Sequence, residues 1–190
     1  MLESIDIAVI SQTLPQIQSG IDKYIKVINH LHLCDVSKSM DYQKLYNGYY
    51  RMRQRKQDYY QIYFEYLEAN KNKDINFVDV LTYINTATGR FEPSFASKLL
   101  ATIDTDSPVW DSVVLKNLSI IPPRSCQKDR MYATVKTYMT LLEWYGNYFK
   151  TQNAVDVLNL FNSIYPQFAQ SVTAVKKVEF ALWSLIKKDK

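Results

Sequence analysis

The chain has 190 residues, 47% of them hydrophobic, enough to bury a sizeable core within one domain. Its 23 basic and 19 acidic side chains leave a net charge of +4, well short of a histone-like polycation. Its 4 glycines supply no G-x-G-x-x-G and no Walker-type loop, which argues against nucleotide enzymes of those types.

In chain order, apolar residues recur at three- and four-residue spacing and no sustained strand alternation occurs, so the pattern predicts an all-α multi-helix fold. A first helical region spans 2–33, broken or bent at Pro15 and Gly20, with Tyr24, Ile25, Ile28 and Leu31 on one face. A second, 40–69, is expected to run through the basic stretch with a joint at Gly48. The polar run 70–76 (NKNKDIN) reads as a connector and as the seam if this single domain, 1–190, divides into two lobes. Asp74 or Asn76 caps the helix FVDVLTYINTA, and Gly89 supplies the left-handed residue that ends it. Helices are then expected over SFASKLLATI and VWDSVVLKNL. Pro122-Pro123 breaks the chain, and three more helices follow over 128–150, 153–165 and 171–188.

No apolar run approaches the ~20 residues of a membrane span, and the first residues carry Glu3 and Asp6 where a secretory signal would be basic. Cys34 and Cys126 make no disulfide framework, and a reducing cytoplasm is the expected setting. His30, His32 and Cys34 do not form a metal site, because residues two apart on a helix diverge and two ligands do not close a zinc shell. No cofactor is expected, and with only two histidines a serine or cysteine hydrolase is disfavoured.

Two stretches carry chemistry. In NGYYRMRQRKQDYYQIYFEYLEANK, a continuous helix would align Arg51, Arg55 and Tyr59, with Tyr49, Arg53, Lys56 and Tyr60 on the neighbouring stripe. Cations for phosphates and rings for unpaired bases suit nucleic acid. The same residues also suit a solvated helix whose tyrosines cover a core, or a protein interface anchored by aromatic rings.

The second stretch is TGRFEPSFASKLLATIDTDSPVWDSVVLKNL. A glycine turn, a short helix, a loop ending in proline and an aspartate heading another helix resemble the helix-hairpin-helix DNA glycosylase superfamily over about 89–118. Pro108, Val109, Asp111, Ser112 and Val114 approximate its P-V-D-[ST]-x-V pattern with Trp110 inserted. The resemblance implies double-stranded DNA as partner, Asp111 as the catalytic carboxylate, and Gly89 and Arg90 at the hairpin. Arg51, Arg53, Arg55 and Lys56 become phosphate contacts, and Trp110 a stacking ring. It implies a monofunctional N-glycosylase: Lys98 lies too late for a Schiff base and there is no four-cysteine cluster. The hairpin departs from the superfamily's L-P-G-V-G, since ATGRFEPS holds one glycine. A purely structural Asp111 would sit in a helix capped by Ser107, with Pro108 at its first position, and would pair with Lys98. The alternative function is a non-catalytic helical module binding protein or DNA on the same fold.

Overall fold

The computed structural model describes residues 3–52 and 54–185, and among them every regular element is helical. The elements are α1 (Ile7–Thr13), α2 (Gln18–His30), α3 (Met40–Tyr50), α4 (Gln57–Asn70), α5 (Phe77–Thr88), α6 (Pro93–Ile103), α7 (Ser112–Asn117), α8 (Arg130–Tyr148), α9 (Gln152–Ile164) and α10 (Ala174–Ser184). Pro15 starts a 3-10 turn, Leu14–Ile17, between α1 and α2, while Gly20 is accommodated inside α2. Among the described residues, no helix is long and apolar enough to cross a membrane.

Two compact units emerge, one of Met1–Gln18 with Asp106–Lys190, the other of Ser19–Thr105. The connector 70–76 lies inside the second unit, where it joins α4 to α5; Tyr66 and Tyr83 stack across that joint with ring centroids 4.0 Å apart.

The second unit, α2 to α6, is built around tyrosine. Tyr24, Tyr46, Tyr63 and Phe64 are fully buried, and each phenol that enters the core needs a hydrogen-bond partner to offset the loss of water. Tyr63 donates to the Phe95 carbonyl at 2.9 Å, so Tyr46, 2.8 Å away, donates to Tyr63. By the same logic Thr102 donates to the Lys98 carbonyl and Tyr50 donates to Thr102 at 2.9 Å. These two relays tie α3 and α4 to α6. Asn76 caps α5 by accepting from the amides of Val78 and Asp79, and Gly89 ends it at φ 66.

The first unit packs α1 and the 3-10 turn with α7 to α10 over Ile10, Leu14, Leu118, Leu141, Val157 and Phe161, all buried. The Asn153 side chain brackets Ile5, accepting its amide at 2.7 Å and donating to its carbonyl at 3.0 Å. Tyr165 donates to the Leu14 carbonyl at 2.8 Å. Thr151 and Thr173 cap α9 and α10.

The largest correction concerns 40–69, which is two helices. Arg51 takes the left-handed conformation (φ 49) at the end of α3, Met52, Gln54 and Arg55 are not helical, and Lys56 precedes α4 in an extended conformation. Gly48, the expected joint, is helical. Of the four tyrosines of α4, Tyr59 and Tyr63 are buried, and Tyr60 and Tyr66 are half-buried.

Candidate functional site

Asp111 is itself the residue that starts α7. Its backbone is extended (φ −110, ψ 141), its Oδ1 accepts the Val113 amide at 2.8 Å, and its carbonyl accepts the Leu115 amide at 2.9 Å. This replaces the expected cap at Ser107. Pro108 to Trp110 lie outside the helix, with the Pro108 carbonyl and the Val109 amide held by side chains of other helices. Tyr138 on α8 donates to the Pro108 carbonyl at 3.0 Å, and Glu179 on α10 accepts the Val109 amide at 3.1 Å. The second oxygen of Glu179 faces Lys176 at 2.7 Å, an ion pair with the lysine fully buried. The loop that delivers Asp111 is therefore clamped by two helices, and Asp111 stands half-buried at its end. Trp110 is only 7% exposed, which leaves little of its ring for a base to stack on.

The hairpin residues lie in the other unit. Gly89 donates its amide to the Asn85 carbonyl at 2.9 Å, and no atom stands within 4 Å of where a Cβ would project. Arg90 keeps its guanidinium 55% exposed, 3.7 Å from Glu92. Arg55, expected to face phosphate, instead donates through Nε (3.1 Å) and Nη2 (2.6 Å) to the Glu92 carboxylate, with its guanidinium 5.2 Å from the centre of the Phe95 ring. Its charge is thus matched locally. Lys56 and Arg51 are exposed, and Arg53 lies outside the described residues. The predicted stripe of Arg51, Arg55 and Tyr59 does not form, because the helix that would align them is interrupted between the first and second. Lys98 is buried with Nζ 5.5 Å from the centre of the Phe95 ring; it belongs to the second unit and Asp111 to the first.

His30 directs Nδ1 to the Lys26 carbonyl at 2.8 Å, and the Cys34 thiol donates to the His30 carbonyl. Among the described residues no group of three or more His, Cys, Asp or Glu side chains is placed to hold a metal ion.

One surface feature was not anticipated. In the first unit the Pro122-Pro123 segment and the first turns of α8 enclose an open groove of about 690 Å³, walled by Ile121, Pro122, Pro123 and Ala133, with Arg124 and Lys136 also lining it. A smaller hollow shares Ile121, Thr137 and Thr140 with it. The sequence signal was Ile120-Ile121 before the proline pair, of which only Ile120 is buried; Ile121 is 86% exposed. The buried Lys176–Glu179 pair was equally hidden, since two opposite charges three apart read as a solvated face.

No family model, no curated protein and no solved structure matches the chain.

Proposed function

We propose that the protein binds DNA and that Asp111 supplies the carboxylate for hydrolysis of an N-glycosidic bond. One observation carries the reading: the carboxylate of a half-buried aspartate at the start of α7, one oxygen fixed by the Val113 amide, on a loop held by Tyr138 and Glu179. Further support comes from the order of elements before it, a helix, a left-handed glycine, a helix and a proline loop. Breaking the bond between sugar and base builds positive charge on the sugar carbon. A fixed carboxylate lowers that barrier and orients the attacking water, whose oxygen takes the place of the departing base nitrogen. The target nucleotide is turned out of the duplex first. Exposed cations, Arg51, Lys56 and Arg90, are the candidates for phosphate contact. Arg55 is not, given its pairing with Glu92.

The test compares wild type and Asp111→Asn on a fluorescent duplex carrying an abasic-site analogue, and on duplexes carrying damaged bases. Asparagine retains the capping oxygen and removes the charge. Salt-sensitive binding by both forms is expected, with base release falling about 100-fold or more in the variant. Binding without release by either form would reduce the reading to the non-catalytic module. That second reading is favoured by the neutralised Arg55 and by the groove on α8. Absence of binding at low salt would remove DNA altogether.

A further inference from the structure

The groove on α8 stands apart from Asp111, which does not line it, and its chemistry is of a different kind. Its walls are aliphatic: Ile121, the two prolines and Ala133. Its charges are of one sign, because Arg124 and Lys136 line it and no acidic side chain does. The two threonines on its floor have committed their protons, Thr137 to the Ala133 carbonyl at 2.9 Å and Thr140 to the Lys136 carbonyl at 3.1 Å. Cys126 and Gln127 complete the lining, so the groove offers a visitor apolar contact, one side-chain amide and two cationic donors, and what fits is a chain of acceptors bearing an aliphatic side chain.

On α8, Tyr132 and Met139, 71% and 50% exposed, stand one turn before and one turn after Lys136 and do not line the groove, whose exposed apolar side chain is Ile121 at 86%.

We infer that this groove docks an acidic peptide segment, seating a leucine-like side chain between Ile121, Pro122 and Ala133 while its carboxylates meet Arg124 and Lys136. A peptide fits better than a nucleic acid strand. No aromatic ring lines the groove to stack a base, and two cations make a short track for a phosphate backbone.

Fluorescence anisotropy with the full chain tests this, using a short labelled peptide in which glutamates flank a pair of leucines. The expected result is saturable binding that Lys136→Glu weakens about tenfold or more, as reversing a charge at a complementary interface does. Ile121→Ser should weaken it comparably. Replacing the leucines by serine, or the glutamates by glutamine, should weaken it from the peptide side. Because Ile121 and Lys136 are exposed, both variants should keep the far-ultraviolet dichroism of wild type, which is measured alongside. Partial rescue of Lys136→Glu by a peptide with lysines in place of glutamates would fix the contact. The proposal is overturned if the peptide does not bind, or binds all variants equally. It is also overturned if a short oligonucleotide binds in its place and loses affinity with the same substitutions. Self-association of the chain that Lys136→Glu abolishes would overturn it too, by making a second copy the occupant.

Discussion

Lys176 and Glu179 face each other one turn apart on α10, Nζ to Oε1 at 2.7 Å, and the remaining oxygen of Glu179 receives the Val109 amide. A buried pair of this kind is costly to break from one side, because the surviving charge is left in an apolar surrounding. Glu179→Ala should therefore lower stability by about 3–5 kcal/mol, more than an ordinary large-to-small change at a half-apolar site. Lys176→Met combined with Glu179→Gln, which keeps an acceptor for Val109, should recover most of the loss. Urea unfolding of the single and double variants checks both.

Alkali should unfold this protein cooperatively. Burial raises the phenol pKa of Tyr46, Tyr63 and Tyr145 well above the ordinary value of 10.0, and raises Tyr42, Tyr59 and Tyr148 as well. The folded state keeps these protons where the unfolded chain would release them. Stability from this source is whole below pH 10 and falls above it, by about 1.4 kcal/mol per pH unit for each such tyrosine. Lys177 opposes the trend: burial lowers its pKa, so the folded state gains as the pH rises toward 10.5, but it is one group against these six tyrosines and Tyr66, which burial also raises. The tyrosinate absorbance of the buried phenols should appear in one step with the loss of helical dichroism.

Gly89 separates the conformational demand of the hairpin from its packing. The residue needs φ 66, yet the space beside it is open. Gly89→Ala should cost about 1 kcal/mol through the backbone alone, and Gly89→Asn less, since asparagine tolerates the left-handed region. Thermal unfolding of the two variants decides it.

Asp111 holds a structural duty whatever else it does. Asp111→Ala should cost about 1 kcal/mol by leaving the Val113 amide without an acceptor, whereas Asp111→Asn should be close to neutral. A loss of base release in the asparagine variant, at wild-type stability, would then belong to the charge.

The sequence was most legible where side chains act on their own backbone. Asn76 and Gly89 bound α5 as their chemistry predicts, and Pro93 opens α6. Legibility failed where tertiary partners decide. Nothing in RMRQRK forbids helix, as arginine, glutamine and lysine all favour it. The interruption arises where Arg51 turns left-handed, and Arg55 is held by Glu92, which is remote in sequence. Likewise Ser107-Pro108 is a sound helix start by composition, but Tyr138 and Glu179 hold the Pro108–Val109 backbone out of the helix, and the start moves to Asp111. The groove on α8 left only Pro122-Pro123 as a trace, since surface apolar residues carry no periodic signal of their own.

The first unit takes its parts from both sides of the second along the chain. Ile5 waits for Asn153, and Leu14 for Tyr165. On a ribosome, Ser19–Thr105 can complete its tyrosine core while α9 and α10 are still untranslated, leaving Ile5, Ile10 and Leu14 without cover in the interval. The order of synthesis thus runs against the order of contact for this unit. The apolar side chains of Ile5, Ile10 and Leu14 gain their cover only when α9 and α10 arrive.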